Sequence, residues 1–213
     1  MKMSGLYAIT PDCADSETLL AKVRAALQSA HLGGWAALQY RNKAAGPARR
    51  AAEAHALAAL CRARGVPFIV NDDVELALAS GADGVHLGRD DCALAAARTR
   101  LGERLLGASC YDRLDLARTA LAAGADYVAF GSVYPSTTKP GAVGAPLALF
   151  AAARALGVPV VAIGGITLER AAEVLRAGAD CLAVISDLFD TPDIAARARA
   201  YANLFAAQAS LSA

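Results

Sequence analysis

The chain has no excess of charge of either sign: 21 Lys and Arg stand against 20 Asp and Glu, a formal net charge of +1. That leaves no general basic field to hold nucleic acid and no basic tail, so any anion site must be a local cluster. Long apolar runs are also missing. No stretch approaches the roughly 18 uninterrupted apolar residues of a membrane span, and the opening MKMSGLYAIT turns polar too early for a signal peptide. A soluble, cytoplasmic protein without membrane or nucleic-acid partners is expected. The five cysteines, Cys13, Cys61, Cys92, Cys110 and Cys181, include no CxxC pair. An odd number without metal spacing suits a reducing compartment and small core side chains. No Ser-His-Asp or Cys-His arrangement stands out, which leaves nucleophilic hydrolysis without support. His86 reads as a buried, hydrogen-bonded strand residue, and His31 and His55 as helix or surface residues.

What is present is apolar material in a regular order. Hydrophobic residues make up 56% of 213 and charged residues 19%, which excludes disorder and provides one sizeable core. A joint recurs: Ser80-Gly81-Ala82-Asp83 before GVHL, Ala123-Gly124-Ala125-Asp126 before YVAF, and Ala177-Gly178-Ala179-Asp180 before CLAV. Each reads as a helix ending at glycine and feeding a strand. A second joint, Gly-Val-Pro at 65–67 and 157–159, does the same with proline blocking continuation. Apolar residues at helical spacing mark helices over Glu17–Leu32, Ala48–Arg64, Leu114–Ala123 and Leu168–Ala177. Short runs apolar on both faces mark strands at Leu6–Thr10, Ala36–Tyr40, Phe68–Asn71, Gly84–Leu87, Leu105–Ser109, Tyr127–Gly131, Val160–Ile163 and Cys181–Ile185. Eight strands alternating with eight helices, with no Pro/Ser-rich linker, predict an α/β fold: one (β/α)8 TIM-barrel domain over residues 1–213. The competing open sheet would carry a glycine-rich first turn if it bound a dinucleotide, and Thr10-Pro11-Asp12 has none.

In such barrels the chemistry sits at the C-terminal strand ends, and the unusual polar residues fall there. Gln39, Arg41 and Lys43 alternate at the second strand's end, so they share one side, and two cations with an amide suit a polyanion such as a diphosphate. A solvated loop is the plain alternative. Asp72 and Asp91 lie at the tops of adjacent strands, where two carboxylates with phosphate oxygens and waters can hold magnesium; from spacing alone, capping of the following helix by one residue of each pair, Asp72 or Asp73 and Asp90 or Asp91, is the favoured reading. Ser136-Thr137-Thr138-Lys139 lies in a long loop bounded by Pro135 and Pro140, where hydroxyls and a cation favour an anion. Gly164-Gly165 and Ile185-Ser186 fall where barrels commonly build a phosphate cradle from backbone N–H groups; a tight turn is the alternative for the glycines. The residues alone thus describe a barrel with two anion sites and one divalent cation.

The series QYRNK (39–43), ND (71–72), GVHLGRDD (84–91), GAS (107–109), YVAFGSVYPSTTK (127–139), AIGGI (162–166) and AVIS (183–186) resembles the thiamine-phosphate synthase family, in order and along nearly the whole chain. The resemblance implies a transferase of thiamine biosynthesis that joins a pyrimidine diphosphate to a thiazole phosphate with Mg2+. It assigns Gln39, Tyr40, Arg41, Asn42, Lys43, Asn71, Ser109 and Lys139 to the pyrimidine diphosphate, with Arg41, Lys43 and Lys139 as the catalytic cations. Asp72 and Asp91 become the magnesium ligands, and Ser136, Thr137, Thr138, Gly165, Ile185 and Ser186 the thiazole phosphate site. The chain departs from the family pattern at Tyr40 (commonly leucine), Arg89 (often glutamine), Tyr111 (often histidine), Ser132 (commonly proline) and Ser136 (often threonine). A thiazole tautomerase paralogue of the same fold would carry an acid–base histidine at the position of Ser132. A non-catalytic phosphate-binding barrel would tolerate loss of one anion site or of the carboxylate pair. A phosphate-sugar isomerase would share the cradle but would not need the 39–43 cluster. A homo-oligomer is left open.

Overall fold

A computed structural model describes residues 3–89, 91–135 and 144–211. Eight strands, Gly5–Ile9 (β1), Trp35–Tyr40 (β2), Phe68–Asn71 (β3), Gly84–Leu87 (β4), Leu105–Tyr111 (β5), Tyr127–Phe130 (β6), Val160–Ile163 (β7) and Cys181–Val184 (β8), pair in parallel with their sequence neighbours. β8 pairs back onto β1 and closes the barrel. The expected (β/α)8 architecture is therefore what forms, and the open sheet is excluded.

The helices are Ser16–Ala26 (α1), Pro47–Arg62 (α2), Val74–Ser80 (α3), Leu94–Leu101 (α4), Leu114–Ala122 (α5), Ala148–Ala153 (α6), Leu168–Ala177 (α7), Ser186–Phe189 (α8) and Ile194–Leu211 (α9). Two expectations need correction. The described residues hold nine α-helices rather than eight, because the single turn α8 precedes α9. Asp187 fixes that turn, accepting from the Leu168 backbone N–H at 3.2 Å, from Arg197 at 3.1 Å and from the Tyr201 hydroxyl at 2.7 Å. The helix expected over Glu17–Leu32 is α-helical only to Ala26 and tightens to a 3₁₀ turn over Leu27–Leu32. There Ser29 bonds back to the Ala26 carbonyl at 3.1 Å and takes the Trp35 indole N–H at 3.1 Å, the local competition that serine offers a helix backbone.

The recurring Gly-Ala-Asp joint has a use that its helix-ending role conceals. Each aspartate accepts a backbone N–H from the start of the preceding strand: Asp83 from Phe68 at 2.8 Å, Asp126 from Leu106 at 2.7 Å and Asp180 from Val160 at 2.9 Å. Each returns its own N–H to the carbonyl of that same residue. Three of the strand pairs are thus stapled at the N-terminal end of the barrel, opposite the C-terminal strand ends.

Alternation along each strand separates two cores. Tyr7, Ala37, Ile69, Tyr127, Ala129, Val161, Cys181 and Ala183 fill the barrel, while Leu6, Leu38, Val70, Val85, Val128 and Leu182 pack outward under the helices. Gly107 is the interior position where size is decisive: a Cβ there would lie 2.1 Å from the Tyr127 ring and 2.5 Å from His86 Nδ1. Its absence lets those two rings stack, with centroids 5.6 Å apart.

Candidate active site

The alternation that forms the cores also sorts the run 39–43. Gln39 points into the barrel, buried, and donates from Nε2 to the Tyr7 hydroxyl at 3.1 Å. Tyr40 and Asn42 turn the other way and converge on buried Glu53, at 2.7 and 3.0 Å. These two side chains brace β2 against α2; the Asn42 side-chain amide oxygen Oδ1 is buried with no hydrogen-bond partner among the described residues. Arg41 and Lys43 are held at the rim by Asp12, a residue to which the sequence reading gave no role. Asp12 pairs with the Arg41 guanidinium at 2.9 Å and accepts the Lys43 backbone N–H at 2.6 Å. Partial burial would raise its pKa, but the Lys43 N–H and the Arg41 guanidinium outweigh that and hold the carboxyl below the usual range. Thr10 completes the brace, its hydroxyl exchanging hydrogen bonds with the Arg41 backbone N–H and carbonyl, each 2.8 Å. Asp12 was legible only as a residue of a glycine-free loop, so no pattern marked it.

Asp72 and Asp73 divide the two uses that spacing left open. Asp73 caps α3, accepting from the Leu76 N–H at 2.9 Å, and pairs with Arg50 at 3.1 Å. Asp72 takes the left-handed conformation, φ 65°, and so leaves the helix axis. Its carboxyl meets that of Asp91, and Lys43 Nζ lies 3.9 Å away. Burial and the neighbouring Asp91 push the Asp72 pKa up to about 6, against the opposing pull of Lys43 and Arg41. Asp91 does not cap α4, which begins after Ala93 without a side-chain cap; it holds the Gly88 N–H at 2.6 Å through Oδ2. Two acids whose charges oppose each other in a partly buried site are a donor set suited to a small hard cation. Among the described residues no group of three or more His, Cys, Asp or Glu gathers for a metal. A pocket of about 700 Å³ opens beside Asp72, lined also by Arg41, Lys43 and Asn71 and, from α3 and α4, by Glu75 and Arg100.

On the opposite side, the segment after β6 folds over the end of β7. Val133 and Tyr134 donate backbone N–H groups to the Ile163 and Gly164 carbonyls at 2.9 and 3.0 Å. Gly164 and Gly165 have φ of 104° and 58°, and a Cβ on Gly165 would lie 2.4 Å from the Pro135 carbonyl oxygen. Arg170 reaches back to the Gly165 carbonyl at 3.1 Å and lies over the Tyr134 ring, 4.6 Å from its centre. Ile185 precedes α8 and Ser186 is its first residue. Ser132, where a tautomerase would carry histidine, donates its hydroxyl to the Tyr134 carbonyl at 2.6 Å. Ser136, Thr137, Thr138 and Lys139 lie outside the described residues, as does Asp90.

Ser109 stands on β5 with its hydroxyl 2.9 Å from His86 Nε2. His86 is buried as expected, and desolvation lowers its pKa to about 4, only partly offset by the charge of Asp91. Arg89 and Tyr111, two departures from the family pattern, form one contact: the guanidinium lies 4.6 Å from the centre of the tyrosine ring.

Residues 6–188 match the family model described as thiamine monophosphate synthase. The thiamine-phosphate synthase of Chromobacterium violaceum is 59% identical over 208 residues, covering 97% of this chain and 99% of that protein. That of Aromatoleum aromaticum is 58% identical over 206 residues, with 96% and 97% covered. The structure of thiamine phosphate pyrophosphorylase from Pyrococcus furiosus superposes with a TM-score of 0.83 at 32% identity, covering 97% of each chain. The chain belongs to the thiamine monophosphate synthase family.

Proposed function

We propose that this chain joins the pyrimidine diphosphate to the thiazole phosphate, releasing diphosphate and forming thiamine phosphate. The observation that carries this reading is the pairing of Asp72 with Asp91 beside Arg41 and Lys43 on one rim, opposite the Gly164-Gly165 turn and the start of α8, in a chain of that family. The bond between the pyrimidine's methylene carbon and the diphosphate oxygen breaks, and its electron pair leaves with the diphosphate. The thiazole nitrogen's lone pair then forms the new carbon–nitrogen bond. No proton need move, so the reaction requires no general base.

Asp72 and Asp91 are the residues that would hold magnesium, whose chemistry would be to neutralise the diphosphate. Arg41 and Lys43, fixed by Asp12, stabilise the charge that grows on the leaving group. Lys139 is assigned the same role. Gln39, Asn71 and Ser109 line the pyrimidine end. Tyr40 and Asn42 contribute through backbone and bracing, since their side chains are engaged by Glu53. Gly165, Ile185 and Ser186, with Ser136, Thr137 and Thr138, receive the thiazole phosphate. Holding both partners in line removes the entropy of their encounter. The reaction is read with each substrate omitted in turn: product requiring both supports the transfer, whereas conversion of a thiazole carboxylate isomer alone would favour the tautomerase.

A further inference from the structure

Five side chains from five strands form one hydrogen-bonded chain through the barrel interior. Gln39 Nε2 meets the Tyr7 hydroxyl at 3.1 Å, and Tyr7 meets the Tyr127 hydroxyl at 2.7 Å. Tyr127 meets His86 Nδ1 at 3.2 Å, and His86 Nε2 meets the Ser109 hydroxyl at 2.9 Å. Tyr7 and Tyr127 are almost wholly buried, so each hydroxyl proton must find its acceptor inside the chain.

Each link carries one proton, and with the Gln39 amide N–H directed at Tyr7 the count of donors gives the direction. Tyr7 accepts from the Gln39 amide, so its own proton can go only to Tyr127. Tyr127 then donates to His86 Nδ1, which must be bare. A neutral imidazole with a bare Nδ1 carries its proton on Nε2 and donates to Ser109. Ser109 receives a proton and keeps its own for a group outside the chain. In the opposite sense Tyr7 would accept twice and leave a buried O–H with no partner, unless the Gln39 amide presented its oxygen instead.

We infer that the chain runs one way, from Gln39 to Ser109, making His86 a positioning residue in the Nε2–H form and Ser109 a hydroxyl that donates to an acceptor atom of the bound pyrimidine diphosphate. The last clause rests on the proposed function; the direction of the chain does not. The burial that depresses the His86 pKa keeps the ring neutral at neutral pH, as a directional relay requires. Gln39 and Ser109, on different strands, become the two ends of a single device, and the amide at one end sets the hydrogen-bonding sense of the hydroxyl at the other.

Long-range proton–nitrogen correlation on histidine-15N-labelled protein reads the tautomer directly, with His86→Gln identifying the His86 signals among the three histidines. A pyrrole-like Nε2 and a pyridine-like Nδ1 are expected; the reverse pattern, or a charged ring at pH 7, overturns the direction. Steady-state kinetics supply the second arm. His86→Gln retains an N–H donor for Ser109 and His86→Leu does not. The leucine variant should therefore raise the KM for the pyrimidine diphosphate about tenfold or more above that of the glutamine variant, the effect of one positioned hydrogen bond, with the thiazole KM unchanged in both. Equal defects in the two variants, or a defect in the thiazole KM, would overturn the role given to Ser109. If His86→Leu fails to fold, His86→Gln and the tautomer still decide. Failure of the wild-type protein to make thiamine phosphate would refute the proposed function and leave the tautomer result standing.

Discussion

The Asp72 carboxyl faces that of Asp91 across the tops of β3 and β4, and burial, with Asp91, raises the cost of ionising Asp72. Asp72→Asn is the informative substitution, because asparagine tolerates the left-handed backbone at φ 65° and removes only the charge. Magnesium-dependent turnover should fall by about 10²-fold or more. At pH 7, above the raised Asp72 pKa, the substitution removes a carboxylate that burial and Asp91 disfavour, so Tm should hold or rise. Normal turnover in Asp72→Asn would contradict the metal assignment.

Arg41 and Ser186 should separate in kinetics, since the proposed function assigns them to different anions. Charge grows on the leaving diphosphate and stays constant on the thiazole phosphate. Interactions that strengthen in the transition state act on turnover, and uniform ones on apparent binding. Arg41→Ala should lower kcat by about 10²-fold or more, and Lys139→Ala likewise. Ser186→Ala should chiefly raise the thiazole phosphate KM, modestly, because backbone N–H groups would still hold that anion. An Arg41→Ala defect confined to the thiazole KM would reverse this division.

The cysteines should be dispensable. Cys13, Cys61, Cys110 and Cys181 are buried and Cys92 is exposed. Burial pushes the Cys61 and Cys110 thiols up to about 12 and that of Cys181 well above its usual range, which makes them poor nucleophiles. A thiol reagent should label Cys92 first in the native protein. A variant with Ser or Ala at all five positions should keep its turnover at some loss of Tm. A collapse of turnover in a folded single variant would expose a missed role.

His86 links the interior to pH. Its folded pKa is depressed to about 4 from 6.5, so between those values the unfolded chain binds the extra proton. Stability is then fully present above about 6.5 and is lost as pH falls towards 4, by on the order of 3 kcal/mol. Thermal melts of wild type and His86→Gln across pH 4–7.5 should show a shallower acid decline in the variant. Parallel curves would place the acid sensitivity elsewhere.

The barrel was legible because its strands are short apolar runs entered through repeated Gly-Ala-Asp and Gly-Val-Pro joints. His86 was legible as an interior residue, being the one polar side chain within GVHL. The metal-or-cap choice at 72–73 was not, because it turns on the backbone φ of Asp72, which residue type does not dictate. Alternation already implied that Tyr40 and Asn42 face away from Gln39 and Arg41, although the whole run was assigned to one substrate. Asp12, Glu53 and the chain from Tyr7 to Ser109 were not legible, because their partners are 11 to 120 residues distant in sequence. Such contacts follow from barrel closure rather than from any local pattern.

The proposed reaction is a stoichiometric transfer. Protein incubated with pyrimidine diphosphate, thiazole phosphate and Mg2+ should yield thiamine phosphate and free diphosphate in equal amounts, quantified together by mass spectrometry, with both lost on chelation. Diphosphate released without thiamine phosphate, or unchanged yield of both in chelator, would contradict it.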